Sequence, residues 1–237
     1  SLPLGFPLEL SLDASGNLQH NRFTVGDPGF VSDIDLDSTT GGEQSRYVGD
    51  LESVSIHAGD GEDTLRVDFS GGNPIPSGEI HFDGEGDFDE LDLIGAGSDF
   101  ATNTYTFTGP GAGEVDFDGS VISFTDLAPI SNDGTPGEII FNLPGSADDV
   151  TREDTGTATD GLSRLIDNGG TFETTTFTNP TDSLTLNGNE GADELLLTAL
   201  DSGFDASVHI NGGPGNDAFT VDVDSASGSD IIDDPIH

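Results

Sequence analysis

Apolar residues alternate with polar ones in short runs along most of this chain. Leu8-Glu9-Leu10-Ser11-Leu12, Leu65-Arg66-Val67-Asp68-Phe69, Tyr105-Thr106-Phe107, Val115-Asp116-Phe117 and Leu184-Thr185-Leu186 each put every second side chain on one face. Period-two runs rich in Val, Ile, Thr and Phe, punctuated by glycine turns, predict β-strands with one buried face. No helical period persists beyond about two turns. The 34 glycines point the same way, since each costs about 1 kcal/mol relative to alanine inside a helix. The expected class is all-β.

The runs also repeat. Leu184 to Val208, Leu186 to Ile210, Asp193 to Asp217 and Leu195 to Phe219 are each 24 residues apart. Val54 to Ile80, Ile56 to Phe82, Asp63 to Asp89 and Leu65 to Leu91 are each 26 apart, and Val54 to Leu184 or Asp63 to Asp193 is 130. A coil of about 25 residues is thus nested in a unit of about 130. Constant periods of this size signal a solenoid, in which each coil buries its face on the next.

The spacing divides the chain into a first unit, 1–130, and a second, incomplete unit, 131–237, which also fit one continuous domain. Strands are expected at 8–12 and 23–25, a polar loop at 37–42, and a third coil or a hairpin over 100–130. Residues 131–137, Ser-Asn-Asp-Gly-Thr-Pro-Gly, read as the joint between units. The second unit stops where the first runs on into its 100–130 segment. That is the pattern of a longer repetitive protein, or of an open end that stacks on another molecule.

Four loops share one plan: a strand, a tight glycine turn closed by an aspartate, and a second strand. They are His57-Ala58-Gly59-Asp60-Gly61-Glu62-Asp63, Asp83-Gly84-Glu85-Gly86-Asp87-Phe88-Asp89, Asn187-Gly188-Asn189-Glu190-Gly191-Ala192-Asp193 and Asn211-Gly212-Gly213-Pro214-Gly215-Asn216-Asp217. The last runs on into the alternating Phe219, Val221 and Val223.

Charge sharpens this picture. Forty-six acids stand against five arginines and no lysine, for a net charge of -41. Such a chain repels itself unless cations sit on it. Nucleic acid and anionic membrane surfaces are poor partners, because phosphate contacts need Lys and Arg. A P-loop and a lysine Schiff base are excluded for want of lysine. With no cysteine there is no disulfide, thiolate zinc site or cysteine nucleophile. No apolar run approaches the roughly 18 residues of a membrane span. Residues 2–10 have no charged flank, so a secreted form would have lost its signal peptide.

The segment Gly212-Gly213-Pro214-Gly215-Asn216-Asp217-Ala218-Phe219-Thr220 matches the nonapeptide G-G-x-G-x-D-x-U-x, with U apolar. It resembles the RTX, or haemolysin-type, calcium-binding repeat of secreted bacterial proteins. The resemblance implies backbone carbonyls exposed by the glycine turn, a sixth-position aspartate beside them, and Ca²⁺ between stacked turns. The other loops depart from the pattern at Ala58, Asp87 and Asn189, and the repeats are 24 to 26 apart instead of following one another every nine residues. The expected fold is therefore a wider, right-handed parallel β-helix with one acidic ladder along an edge. The implied ligands are Asp63, Asp89, Asp193 and Asp217, with Asp60, Glu62, Asp87 and Glu190 beside them and carbonyls of Gly59, Gly61, Gly191, Gly213 and Gly215. Ca²⁺ suits such a mix of carbonyl and carboxylate oxygens.

Plainer readings stand beside this one. Glycine–aspartate turns are ordinary turn chemistry, and a lysine-free acidic surface is also that of a salt-adapted protein. His81 and His209 sit between apolar neighbours and are expected to face outward. His57 occupies the place of Asn187, and the sequence alone assigns no role to His20 or His237. Thr104, Thr106 and Thr108, with residues 174–176, do not recur at the coil period, which argues against a threonine-ladder surface. With 46 acids, paired carboxylates alone identify no glycosidase, and no G-x-S-x-G elbow appears. The expected function is a non-enzymatic, calcium-stabilised structural or adhesive segment of a secreted bacterial surface protein, with a glycan or surface receptor as an open partner. The alternatives are a filament subunit that stacks end to end and a β-helix polysaccharide-active enzyme.

Overall fold

The period-two runs are strands. The computed structural model describes residues 7–22, 30–32, 46–95, 100–157, 159–198 and 200–222. The strand expected at 23–25, the loop at 37–42, Val223 and His237 lie outside them. β1 (Pro7–Leu12), β2 (Asn17–Arg22), β3 (Phe30–Ser32) and β4 (Arg46–Tyr47) precede a single 3-10 turn at Val48–Asp50. β5 (Ser53–His57) and β6 (Thr64–Asp68) flank the first glycine turn, and β7 (Glu79–Asp83) and β8 (Glu90–Ile94) the second. β9 (Thr102–Gly109), β10 (Ala112–Phe117) and β11 (Ser120–Thr125) follow, then β12 (Ile130–Asn132), β13 (Glu138–Asn142) and β14 (Asp149–Asp154). β15 (Leu162–Asp167) and β16 (Thr175–Thr178) come next. β17 (Ser183–Asn187) with β18 (Glu194–Thr198), and β19 (Ser207–Asn211) with β20 (Ala218–Asp222), flank the last two glycine turns. No helix long and apolar enough to cross a membrane occurs among the described residues.

The strands form two large mixed sheets. The twelve-stranded sheet runs β20-β18-β14-β15-β16-β12-β8-β6-β1-β2-β3, with β4 also on β2. The eight-stranded sheet runs β19-β17-β13-β9-β10-β11-β7-β5. Successive coils pair in parallel at the predicted spacing. Val54 faces Ile80 and Ile56 faces Phe82; Leu65 faces Leu91. Leu184 faces Val208, Leu186 faces Ile210 and Leu195 faces Phe219. Register is held because a one-residue slip would turn Leu65, Val67, Leu91 and Leu93 out of the core. Burying each such side chain stabilises by about 1.5–3 kcal/mol.

The parallel stack is interrupted where the alternation alone predicts uniform coils. β1–β2–β3, β9–β10–β11 and β14–β15–β16 are antiparallel. The local cause is clearest between β10 and β11, where Asp118 and Gly119 both take positive φ, 51° and 94°. That is the two-residue hairpin turn favoured by Asp-Gly. The 100–130 segment is thus a hairpin meander, and it ends in a corner, residues 126–129, that returns to the larger sheet. The 131–137 joint begins inside β12, which pairs with β8 on one side and β16 on the other. One hydrophobic cluster runs from Leu10 through Tyr105, Phe141 and Phe177 to Leu195.

Candidate metal centre

Every glycine turn named in the sequence carries the chain from the eight-stranded sheet to the twelve-stranded one, so the turns stack along a single edge. The residues that open the later turns hydrogen-bond to the preceding coil. Asn142 donates to Thr106 Oγ1 at 3.2 Å, Asn187 to Asn142 Oδ1 at 2.8 Å, and Asn211 to Asn187 Oδ1 at 3.4 Å. In the first half this place holds His57, whose Nδ1 lies 3.4 Å from Asp83 Oδ2 and 3.3 Å from Glu85 Oε1.

The aspartate that closes each turn forms a second ladder. The Asp63 N–H donates to Asp89 Oδ1 at 2.8 Å, and the Asp193 N–H to Asp217 Oδ1 at 3.1 Å. The pairs predicted to align, 63 with 89 and 193 with 217, are adjacent. A member the sequence reading missed joins them: the Asp148 N–H donates to Asp193 Oδ1 at 3.0 Å. Its turn, residues 143–148, has Leu143 and Pro144 where glycines stand elsewhere. It lies 45 residues before its neighbour because β15 and β16 are inserted between. The surviving signal was Asn142 at the start and Asp148 at the end.

One oxygen of each carboxylate is therefore engaged; the other is what makes the site. Asp89 and Asp193 are 0% exposed, and Oδ2 of each makes no hydrogen bond. The Asp193 Oδ2 lies 2.4 Å from the point where a Cβ on Gly188 would sit, and the Gly212 carbonyl oxygen lies 2.7 Å from the same point. At Gly84 the corresponding oxygens are Asp89 Oδ2 at 2.4 Å and the Asp126 carbonyl at 2.2 Å. Glycine opens these turns because a side chain there would strike the carboxylate. In each gap a buried carboxylate oxygen and a carbonyl of the following turn converge, a donor set that fits a hard cation.

Burial raises these groups. Asp89 is pushed from 3.8 up to about 6, first by desolvation and then by the charges of Asp63, Asp87 and Asp126, against the pull of the Asp63 N–H. Asp193 is raised by desolvation and by Asp217, and Asp148 by desolvation, with the Thr171 hydroxyl opposing. Ionised carboxylates so placed need either a proton or a cation.

The remaining expected ligands sit further out. Asp60, Glu62, Asp87 and Glu190 are exposed on the outer side of the turns, and Asp217, on the last turn, is half-buried. Asp87 stands where the repeat has glycine, yet keeps the glycine-like backbone at φ 72°, and its Oδ2 accepts the Gly61 N–H at 3.2 Å. Gly59 has a φ of 92° and no atom near a would-be Cβ. Carbonyls of Asn189 and Gly191 face the last turn, 2.0 Å and 1.5 Å from would-be Cβ atoms on Gly213 and Gly215. The inward carbonyls at the carboxylates are accordingly those of Asp126 and Gly212, which the glycine pattern did not single out. A separate acidic group, Asp154, Asp160 and Asp201, lies beside the buried Arg152. Desolvation lowers Arg152 to about 10 while Asp154 and Asp201 oppose the fall, and its guanidinium lies 4.4 Å from the Phe204 ring centroid. His81 is half-buried beside Ser123 Oγ at 3.0 Å and His209 is exposed.

No protein-family model, no curated protein and no solved structure matches the chain.

Proposed function

We propose that this chain is a non-enzymatic structural segment whose coils are stiffened by Ca²⁺ held between stacked turns. The observation that carries the reading is the pair of fully buried, half-satisfied carboxylates, Asp89 and Asp193, in a chain of net charge -41. Cations at these positions offset carboxylate repulsion and fix the turns, so binding free energy becomes folding free energy. In this reading the repeated coils are turns of a right-handed parallel solenoid with hairpins inserted, and the resemblance to RTX repeats supports an extracellular home on a bacterial surface. A glycan or a surface receptor is then its natural partner class.

A second reading, end-to-end assembly, is favoured by the sheet edges that the described residues present. Among the described residues β19 and β20 stand at the edges of their sheets, and Val208, Ile210, Phe219 and Val221 there are half-buried. Unpaired edges of this kind template a further strand.

Calorimetric titration of the full chain with CaCl₂ and with MgCl₂ tests the first reading, and light scattering on the same samples tests the second. The expected result is binding of more than one Ca²⁺, with dissociation constants anywhere from about 10⁻⁶ to 10⁻³ M, and much weaker heats with Mg²⁺. Equal, featureless heats for both ions would remove the calcium reading. A particle size that does not grow with protein concentration in Ca²⁺ would remove the filament reading.

A further inference from the structure

The short corner 126–129 belongs to no repeat in the sequence, yet it stacks directly on the turn 84–89. The Gly84 N–H donates to the Thr125 carbonyl at 3.0 Å and the Ala128 N–H to the Asp89 carbonyl at 2.7 Å. The Thr125 hydroxyl donates to Asp83 Oδ1, also at 3.0 Å. In the aspartate ladder, Oδ1 of Asp89, Asp193 and Asp217 faces the preceding turn, where it accepts an N–H. Oδ2 faces the following one. For Asp89 the preceding turn is 58–63, so that side is already closed by the Asp63 N–H. The free Oδ2 therefore opens toward the corner, where the Asp126 carbonyl meets it beside Gly84.

We propose that a divalent cation is held between turn 84–89 and corner 126–129, with Asp89 Oδ2 and the Asp126 main-chain carbonyl as its buried half and the Asp126 carboxylate as its outer ligand. This rests on the calcium reading and relocates its first-half ion. The ion sits beyond Asp89, not between Asp63 and Asp89 as the repeat alone implies. Three features support the position. Asp89 is 0% exposed with one oxygen unsatisfied, and it is aimed at a carbonyl. Asp126 is exposed, which leaves an open side for water ligands and for entry. Ca²⁺ accepts such an uneven shell of carbonyl, carboxylate and water, whereas Mg²⁺ demands a near-ideal octahedron.

The test is calorimetric titration of the full chain with CaCl₂ at pH 7.5, comparing wild type with Asp89→Asn, Asp126→Asn and Asp193→Asn. The expected result is that Asp126→Asn weakens one ion about tenfold, a loss of about 1.4 kcal/mol. Asp89→Asn loses that ion and Asp193→Asn leaves it in place. Because Asp126 is exposed, its variant keeps the test valid even where circular dichroism shows that Asp89→Asn does not fold. If Asp193→Asn loses an ion while Asp126→Asn binds at full count and affinity, the site at the corner is wrong and the calcium reading stands. If wild type binds no Ca²⁺, both fall.

Discussion

Gly188→Ala is expected to lower the melting temperature by roughly 2–12 °C. The new Cβ would lie 2.4 Å from Asp193 Oδ2 and 2.7 Å from the Gly212 carbonyl oxygen, at a buried position between two backbone layers. Neither atom is the end of a flexible chain. Relief needs the aspartate to leave the ladder, giving up the N–H of Asp148, or the last turn to lift away. Overpacking of this kind costs about 1–3 kcal/mol, and each kcal/mol moves the midpoint of a chain this size by roughly 2–4 °C. Gly145→Ala is the control. Its Cβ would meet nothing closer than Glu190 Cβ at 4.0 Å, so its midpoint should stay within a degree or two of wild type. Ala58 shows what accommodation looks like: it stands at this place in the first turn, and Asp63 is 6% exposed there against 0% for Asp89 and Asp193. Equal melting of the two variants would mean that the turns are loosely stacked.

Stability in the absence of Ca²⁺ is expected to fall as pH rises, the reverse of ordinary carboxylate-stabilised proteins. Asp89 has its folded pKa raised to about 6 from 3.8. Between those values the folded chain binds more protons than the unfolded chain, so folding weakens as pH climbs through that window and stays weakened above it. The loss for Asp89 alone is on the order of 2–3 kcal/mol at neutral pH. Asp193 and Asp148, raised in the same direction, add to it. Melts in EGTA should therefore give a higher midpoint at pH 5 than at pH 7.5. Saturating Ca²⁺ should flatten the dependence, since the metal replaces the proton at the same oxygens. An EGTA midpoint that rises with pH would show that these carboxylates are already satisfied.

Much of this arrangement is legible in the residues. The 24- and 26-residue spacings of Leu184, Val208, Val54 and Ile80 set the strand register, because only apolar residues at matching positions can share a buried face. The alignment of Asp63 with Asp89 and of Asp193 with Asp217 follows from the same spacing. What hid was of two kinds. Alternation is the same for parallel and antiparallel strands, so the excursions through β9–β11 and β14–β16 left no distinct signature beyond the Asp118-Gly119 turn. Insertion also broke the period: β15 and β16 put Asp148 at 45 residues from Asp193, and the contracted corner gave Asp126 no glycine neighbours to flag it. Arg152 was invisible for another reason. In Val150-Thr151-Arg152 it follows the inward pattern, but an arginine at an inward position reads as surface until its burial is seen.

The most direct measurement is the circular dichroism melt of the full chain at pH 7.5 in CaCl₂, in EGTA, and in NaCl or MgCl₂ matched for ionic strength. Ca²⁺ should raise the β-sheet signal and the melting temperature well beyond either matched salt, because only a specifically bound ion stabilises in proportion to its affinity for the folded state. If CaCl₂ does no more than equal ionic strength, the stacked carboxylates are merely screened, and the four loops are turns and nothing else.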